Sequence, residues 1–216
     1  MSYTVTAEKH ITQLRIIKKR SGRRVVVETD EGGSVEVGPE IVVRNGIKTG
    51  MAIGDETIER LQREDELLRA RERLTGYLAL RVKSVADARL YLEKAGFSEA
   101  AIASAIENAI ERDLLDDRRF AERFVRTKIK TATLGPLRLL GELISHGIEP
   151  SLAEEVVRPQ FDRTRQIQAA QKLASKRFRE KESDDEQDEK RFCDWLRQRG
   201  FEDDVAREVA ERTARG

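Results

Sequence analysis

The sequence predicts a mainly α-helical protein, in which three tandem three-helix repeats form an elongated array behind a small antiparallel β-rich segment. Three observations favour this fold class: short β-branched runs confined to the first fifty residues, helical periodicity in the rest of the chain, and a glycine-centred pattern that occurs three times. Apolar and charged residues each account for 38% of the 216 residues. Such a composition suits thin helical modules, each with one buried and one solvated face.

The N-terminal segment, residues 1–54, carries the strand signals. Its apolar runs and turns follow in the order Ile11–Ile17, Ser21-Gly22, Val25–Val27, Gly32-Gly33 and Val35–Val37. Short runs that are rich in β-branched residues and bounded by glycine turns are typical of antiparallel hairpins. We expect a meander here, then a compact irregular stretch up to Gly54, and Asp55 as the N-cap of the first long helix.

A pattern centred on Gly96, Gly147 and Gly200 recurs in the remaining chain. The surrounding residues read LEKAGF at 92–97, LISHGI at 143–148 and LRQRGF at 196–201. The glycines lie 51 and 53 residues apart. A glycine in the first non-helical position takes the left-handed conformation that ends a helix, and the next residue folds back onto the leucine near the end of that helix. We therefore expect a positive φ at all three glycines.

The flanks of the three glycines also match. Alanine lies 26 positions before each glycine, and apolar residues lie six and ten positions after it. These positions are Ala70, Ile102 and Ile106 in the first repeat, Ala121, Ala153 and Val157 in the second, and Ala174, Ala206 and Ala210 in the third. A pattern that recurs over about 45 residues is long enough for three helices and short loops.

The repeat sets the predicted domain boundaries. Residues 55–115 hold a linker helix and the first three-helix repeat, residues 116–161 the second repeat, and residues 162–216 the third. An acidic loop is expected inside the third repeat near residues 180–190, where seven acids and two lysines occur without an apolar residue. We expect this segment to be a solvated loop, or helix ends that flank one, and to contribute little to folding.

Three helix starts agree with this division. Ser84 followed by Asp87 resembles a capping box. Asp116 is a suitable cap, and Asp117 a suitable first-turn acid, for the helix that follows. Pro136 fits the first turn of the middle helix of the second repeat, where its missing N–H costs nothing.

The composition excludes several classes of function. Cys193 is the only cysteine, so an internal disulfide and a multi-thiol metal site are excluded. No apolar stretch approaches the roughly 20 residues of a membrane helix, and no signal peptide is recognisable, so we expect a cytoplasmic protein without membrane contact. The two histidines, His10 and His146, form no catalytic constellation with Cys193, and no glycine-rich phosphate-binding motif occurs. We predict a monomeric, non-enzymatic protein without a cofactor.

The helix predicted from Asp117 to about Lys130 offers the clearest candidate binding surface. At 100° per residue its apolar face consists of Phe120, Ala121, Phe124, Val125 and Ile129. A basic stripe within about 60° on the opposite face consists of Arg119, Arg123, Arg126 and Lys130. Residues 118–138, which include Arg138, contain seven cations and one acid, although the 41 cations and 40 acids of the chain nearly balance. Such a row suits phosphates or the carboxylates of a partner, whereas the alternative is a solvated face without a partner.

A second group of cations surrounds the first predicted turn of the β-rich segment. It consists of Arg15, Lys18, Lys19, Arg20, Arg23 and Arg24. A basic hairpin tip can contact a nucleic-acid backbone, and we take Lys18, Lys19, Arg20 and Arg23 as further candidate partner-binding residues. Cations on an edge strand also protect a sheet from aggregation, and this alternative interpretation stays open.

Two segments carry a resemblance to a known family. Residues 114–128 read LLDDRRFAERFVRTK and residues 135–148 read GPLRLLGELISHGI. They resemble the central signature of the RecX family, L-D-D-x-x-F-A-x-x-[FY]-[VI]-x-x-[RK] followed by G-x-x-[RK]-[IL]-x-x-E-L-x-x-x-G-[IV]. The tandem three-helix repeats are similar to this family over roughly residues 66–216, and the acidic loop of the third repeat departs from its usual pattern.

The resemblance implies a regulator of the RecA recombinase. Such a protein binds the RecA–DNA filament along its helical groove and limits ATP hydrolysis, strand exchange and co-protease activity. The residues leave a second class open, in which a helical repeat protein binds single- or double-stranded DNA directly and competes with RecA for it. A steep loss of DNA binding with rising salt, in the absence of RecA, is expected only for the second class.

Overall fold

The computed structural model describes residues 9–19, 22–131, 134–177 and 186–214, without the side chains of 176, 177, 186–188 and 214. The chain divides into two compact units. The first comprises Met1–Ala79 and Tyr91–Arg112, and the second comprises Leu80–Leu90 and Asp113–Gly216. Most of the described residues are helical, and strands occur only in the first unit, so the predicted fold class is confirmed for the described part of the chain.

The first unit contains a four-stranded antiparallel sheet. Its strands are β1 (Lys9–Lys19), β2 (Gly22–Thr29), β3 (Ser34–Val37) and β4 (Ala52–Ile53), in the order β3-β2-β1-β4. The predicted meander is therefore confirmed. The stretch before Gly54 is more regular than expected, because α1 (Pro39–Arg44) and β4 form there. Ile41 of α1 is fully buried beside Val27 and Val37 of the sheet.

Three helices complete the first repeat. They are α2 (Asp55–Leu78), α3 (Val85–Lys94) and α4 (Glu99–Glu111), and α3 begins in the second unit and ends in the first. The prediction of Asp55 as an N-cap was wrong by one position, since Gly54 adopts the extended cap conformation and Asp55 is the first helical residue. Ser98 caps α4, where its hydroxyl accepts a hydrogen bond from the backbone N–H of Ala101 at 3.4 Å.

A buried charged network joins α2 to the sheet. The Asp65 carboxylate accepts two hydrogen bonds from the Arg24 guanidinium at 2.8 and 2.6 Å and one from the backbone N–H of Gly38 at 2.6 Å. Arg24 also donates to Glu36 at 3.0 Å, and Arg69 donates to Asp65 at 2.9 Å. Burial by itself raises the pKa of Asp65, but the hydrogen bonds and charges of its partners outweigh it and hold the pKa below its ordinary value.

The second unit contains the remaining helices. They are α5 (Asp117–Thr131), α6 (Pro136–Ser145), α7 (Pro150–Val157), α8 (Arg163–Arg177), α9 (Glu186–Gln198) and α10 (Asp203–Ala214), with a 3-10 turn at Arg158–Gln160 after α7. The predicted helix starts are confirmed, because the side chain of Ser84 accepts from the N–H of Asp87, that of Asp116 accepts from the N–H of Arg119, and α6 begins at Pro136. The acidic loop lies partly outside the described residues, and α9 covers its last part from Glu186.

The three glycine caps form as predicted. The φ angles of Gly96, Gly147 and Gly200 are 80°, 75° and 84°. In each cap the N–H of the following residue donates to the carbonyl of the leucine five positions before it, at 3.4, 3.1 and 3.2 Å respectively. Each glycine N–H donates to the carbonyl three positions before it, at 2.9, 2.8 and 2.8 Å. This pattern of two hydrogen bonds is the Schellman motif. The repeated sequence pattern therefore corresponds to a shared local structure.

The matching apolar positions lie in the cores. All nine flanking residues that the repeat predicts, from Ala70 to Ala210, are buried. Phe120, Leu139, Leu143 and Ile148 share one cluster in the second unit. Cys193 belongs to another cluster, with Leu196 and Phe201, and is 7% exposed. Burial raises the pKa of its thiol, so Cys193 is an apolar core residue in the described structure.

Candidate partner-binding surface

The helix α5 separates its apolar and basic residues largely as predicted. Phe120, Ala121 and Val125 are buried, and Phe124 is half-buried. The prediction was wrong for Ile129, whose 44% exposure places it at the border of the apolar face. The basic stripe of Arg119, Arg123, Arg126 and Lys130 is exposed along its whole length. The structure thus presents the four cations of the stripe on one accessible face of α5.

Within the described residues, most of the stripe lacks intramolecular partners. The side chains of Arg123, Arg126 and Lys130 make no ion pair or hydrogen bond there, whereas Arg119 donates to the backbone carbonyl of Asp113. Like charges at helical spacing repel each other when no acid intervenes. An arrangement of this kind costs a little stability and leaves the three side chains available to an anionic partner.

Arg138 does not extend the stripe as a free cation. Its Nε lies 3.4 Å from Glu142 Oε1 in α6, and Lys128 of α5 lies 2.7 Å from the other oxygen of Glu142. The hydrogen bond from Lys128, with smaller contributions from Arg138, lowers the pKa of Glu142. Lys128 and Arg138 thus share one acid that joins α5 to α6, and this acid compensates one of their two charges.

The cations of the first hairpin divide into three groups. Lys18 and Arg23 are exposed, pair across the strands and have no side-chain partner among the described residues. Lys19 pairs with Glu36 at 2.5 Å, and Arg15 pairs with Glu28 at 3.0 Å. The buried Arg24 belongs to the Asp65 network rather than to the surface. Arg20 lies outside the described residues. Two of the four hairpin cations predicted to bind a partner therefore remain as a candidate contact.

A cleft beside the stripe was not predicted. It has a volume of about 370 Å³ and lies between α5 and the segment formed by α7 and the 3-10 turn. Its lining consists of Arg118, Glu122, Val125, Arg126, Ile129, Lys130, Glu155, Val156, Pro159 and Gln160. One feature of the sequence is consistent with the cleft, because Ile129 lies at the edge of the apolar face of α5. Pro159 could not be placed opposite Ile129 without knowing how α7 packs on α5.

A second unpredicted cluster joins α3, α5 and α6 in the second unit. Asp117 accepts a hydrogen bond from the backbone N–H of Val85 at 2.8 Å, and Ser84 donates to the carbonyl of His146 at 2.7 Å. Burial, followed by the charges of Asp116 and Asp87, raises the pKa of Asp117 although the Val85 bond opposes the shift. This cluster orders the helix ends.

The His146 ring is half-buried. Its Nδ1 lies 3.1 Å from Asp87 Oδ2, and the rings of Phe120 and Phe124 approach it edge-on with centroids at 5.3 and 5.4 Å. In the described part of the chain, no group of three or more His, Cys, Asp or Glu side chains is arranged to hold a metal ion. Among the described helices, none has the length and apolarity that crossing a bilayer demands.

Comparison with known proteins identifies the second and third helical repeats. The profile described as "RecX, second three-helix domain" matches residues 116–157, which include α5, α6 and α7. The profile described as "RecX, third three-helix domain" matches residues 164–210. The basic stripe lies within the second three-helix domain. The cleft also lies there, except for Pro159 and Gln160, which follow it closely.

Curated relatives carry the name "Regulatory protein RecX". The protein of Halalkalibacterium halodurans is 31% identical over 147 residues, which cover 67% of this chain and 55% of that protein. That of Oceanobacillus iheyensis is 29% identical over 202 residues, covering 91% of this chain and 74% of the relative. That of Clostridium botulinum (strain Alaska E43 / Type E3) is 27% identical over 204 residues, covering 93% and 94%. The chain thus spans little more than half of the first relative but nearly all of the third.

Solved structures agree in fold. The "Crystal structure of regulatory protein RecX" has a TM-score of 0.72 and 22% identity, and the match covers 94% of this chain and 99% of that one. The "Crystal structure of RecX from Lactobacillus salivarius" has a TM-score of 0.63 and 22% identity, covering 69% and 97%. The domain profiles, the curated relatives and the shared fold lead to one conclusion. The chain belongs to the RecX family of regulatory proteins.

Proposed function

We propose that this protein regulates the RecA recombinase by binding the RecA–DNA filament. In this proposal it limits ATP hydrolysis, strand exchange and co-protease activity, and it acts as a cytoplasmic monomer without a catalytic step of its own. The names of its relatives support a regulatory role, and the basic stripe supplies a surface for the contact. We further propose that the three repeats, residues 55–115, 116–161 and 162–216, are the structural units that bind the filament.

One observation carries the proposal: Arg123, Arg126 and Lys130 form an exposed row without intramolecular partners among the described residues. Guanidinium groups bind carboxylates and phosphates through paired hydrogen bonds, and ammonium groups add a point charge. A nucleoprotein filament offers both kinds of anion. A row on one helix can follow such a surface, because successive cations lie about one helical turn apart.

Direct DNA binding is the second candidate function. Lys18 and Arg23 at the hairpin support it, because two adjacent unpaired cations suit a phosphate backbone. Binding of this kind loses affinity steeply as salt rises, whereas contact with a protein filament depends less on salt when apolar area is buried. Titration of the protein onto a single-stranded oligonucleotide at several salt concentrations, without RecA, separates the two candidates.

The test of the main proposal reverses the charge of the three free cations. The triple variant R123E/R126E/K130E should lose at least about 2 kcal/mol of binding free energy, because like charges then face each other across the contact. Arg119 stays unchanged, since its side chain holds the carbonyl of Asp113. The measurement is RecA-catalysed, DNA-dependent ATP hydrolysis at increasing concentrations of the protein.

A matched control carries the same change of charge elsewhere. Arg60, Arg81 and Lys172 are exposed and lie outside the stripe, so R60E/R81E/K172E should modulate RecA as the wild type does. Both variants should retain the melting temperature of the wild type within a few degrees, because exposed substitutions change stability by about 0.5 kcal/mol or less each. If the stripe variant still modulates RecA at wild-type concentrations, the stripe is a solvated face and the proposal for this surface fails.

A further inference from the structure

The cleft beside the stripe combines an open apolar wall with uncompensated charge. Ile129 is 44% exposed and lines the cleft together with Val125, Val156 and Pro159. Exposed isoleucine inside a concave site costs free energy in water, and a partner that covers it recovers that energy. A volume of about 370 Å³ is sufficient for one large apolar side chain, but it is at the small end for a complete organic ligand.

The charges of the cleft are separated along α5. At its N-terminal end Arg118 pairs with Glu155 at 2.5 Å, and the charge of Glu122 also acts on Arg118. At its C-terminal end Arg126 and Lys130 have no side-chain partner among the described residues. One end of the cleft is thus internally neutralised, and the other end presents two free cations next to Ile129.

We infer that this cleft receives a segment of a protein partner in which one large apolar side chain is followed by carboxylates. The apolar side chain packs against Ile129 and Pro159, and the carboxylates bond to Arg126 and Lys130. This inference rests on the proposed function, because it names the partner chemistry of the same surface. It favours a protein over DNA as the occupant, since the sugar–phosphate backbone has no apolar side chain to cover Ile129.

The geometry gives the two parts of the site different roles. The carboxylate contacts lie at the rim, where salt screens them, and they mainly set the rate and orientation of association. The apolar contact is little affected by salt, so it mainly sets how long the complex persists. A partner segment that has only one of the two features should therefore bind weakly.

The test uses a defined probe, the peptide acetyl-Gly-Ser-Phe-Asp-Glu-Asp-amide, with two control peptides. In one control serine replaces phenylalanine, and in the other the three acids become their amides. The readout is the change of backbone amide shifts of the isotope-labelled full-length protein during peptide titration. We expect saturable shifts around the cleft with the probe, and an affinity at least about fivefold lower for either control peptide.

Two pairs of variants match each contact with a control at another exposed position. Ile129→Ser should weaken the probe about fivefold or more, whereas Ile144→Ser, at a position 47% exposed outside the cleft, should change the affinity less than about twofold. Arg126→Gln should likewise weaken the probe about fivefold, whereas Arg81→Gln, at an exposed position outside both the stripe and the cleft, should have an effect below about twofold.

RecA-dependent ATP hydrolysis with Ile129→Ser separates this inference from the proposed function. Loss of peptide binding together with weaker modulation of RecA supports both. Absence of probe-induced shifts at the cleft up to millimolar peptide, with modulation of RecA intact, overturns the inference and leaves the proposed function standing. The inference is also overturned if a single-stranded oligonucleotide shifts the cleft amides in a way that depends on Arg126 but not on Ile129, because the surface then binds phosphate.

Discussion

Asp65 in the first unit and Asp117 in the second accept the same kind of hydrogen bond in opposite environments. Each carboxylate accepts a backbone N–H from a distant segment, Gly38 at 2.6 Å and Val85 at 2.8 Å respectively. Asp65 is surrounded by arginines and its pKa is lowered, whereas Asp117 lies near two other acids and its pKa is raised. The first carboxylate stabilises the fold through its charge, and the second does so through the hydrogen bond that it accepts.

The two units therefore use different polar chemistry to join their elements. In the first unit, an ionic network holds a helix to a sheet. In the second, backbone hydrogen bonds at a glycine cap join one helix to another. Gly135 and Leu137 at the start of α6 donate to the carbonyls of Arg199 and Gly200, at 2.8 and 3.0 Å. Changes of charge should damage the first unit more, and changes of backbone shape should damage the second more.

The largest effect is expected for Asp65→Asn. Removal of the charge leaves Arg24 buried without a full counter-charge, which should destabilise the protein by about 3–5 kcal/mol. Unfolding in urea, followed by circular dichroism, measures the change. The double variant R24M/D65L is the control, since replacing a buried ion pair by apolar residues is often neutral. A loss below about 1 kcal/mol for Asp65→Asn would show that the network contributes little.

The pH dependence of this network has a defined sign. Because the folded-state pKa of Asp65 lies below its ordinary value of 3.8, the folded state binds the proton less tightly than the unfolded state does. The stabilisation is fully present above the unfolded pKa and is lost as the pH falls through the folded pKa. R24M/D65L should therefore lose less stability than the wild type between pH 5 and more acidic conditions.

Gly200→Ala should have the next largest effect. The alanine requires a left-handed backbone, which costs about 1–2 kcal/mol, and its Cβ would overlap the backbone of Arg138. We expect a total above about 3 kcal/mol, measured by urea unfolding. Gly96→Ala is the matched comparison in the first unit, because its φ of 80° is similar but its Cβ would meet open space, so it should cost about 1–2 kcal/mol. Equal losses would contradict the assignment of a specific contact to Gly200.

The destabilisation by Gly147→Ala should lie between those of these two variants. A second substitution should partly restore the lost stability. Its Cβ would overlap the Cβ of Ala86, which can be removed by Ala86→Gly. The double variant should cost less than the sum of the two single changes, with a coupling of about 0.5–3 kcal/mol in a double-mutant cycle. Additive losses, measured by thermal or urea unfolding, would mean that the two atoms do not limit the packing of α3 against this cap.

The smallest effect is expected for Asp117→Asn. Its amide oxygen can accept the same hydrogen bond from Val85, and the change removes repulsion from Asp116 and Asp87. At neutral pH we expect a change within about 1 kcal/mol, neutral or stabilising. Because the pKa of Asp117 is raised, the wild type gains stability relative to the variant as the pH falls through that pKa towards 3.8. Strong destabilisation at neutral pH would show that the charge itself is required.

Local features could be predicted from the sequence because neighbouring residues determine them. The caps at Gly96, Gly147 and Gly200 involve residues at most six positions apart, and the apolar face of α5 follows from helical periodicity. The contacts of the same glycines could not be predicted in this way. Ala86 lies next to Gly147, but 61 positions before it, and only the packing of the helices brings them together.

The candidate surface shows the same division between features that the sequence predicts and features that depend on packing. The four cations of the stripe follow from their spacing on one helix. The pairing of Arg138 with Glu142, the burial of Arg24 and the wall that Pro159 contributes to the cleft depend on tertiary neighbours. Asp65 was missed because an acid between charged residues of α2 has the sequence pattern of a solvated helix. Its one sequence signal is the position four residues after the buried Leu61.

The burial of Cys193 has a practical consequence for chemical labelling. The chain has one cysteine, which is 7% exposed, and burial raises the pKa of its thiol, so little thiolate is available at neutral pH. A maleimide dye should therefore react slowly with the folded wild type and rapidly with a second cysteine introduced at an exposed position such as Thr127. The native thiol can stay in place, and a fluorophore beside the basic stripe can report directly on contact with a partner.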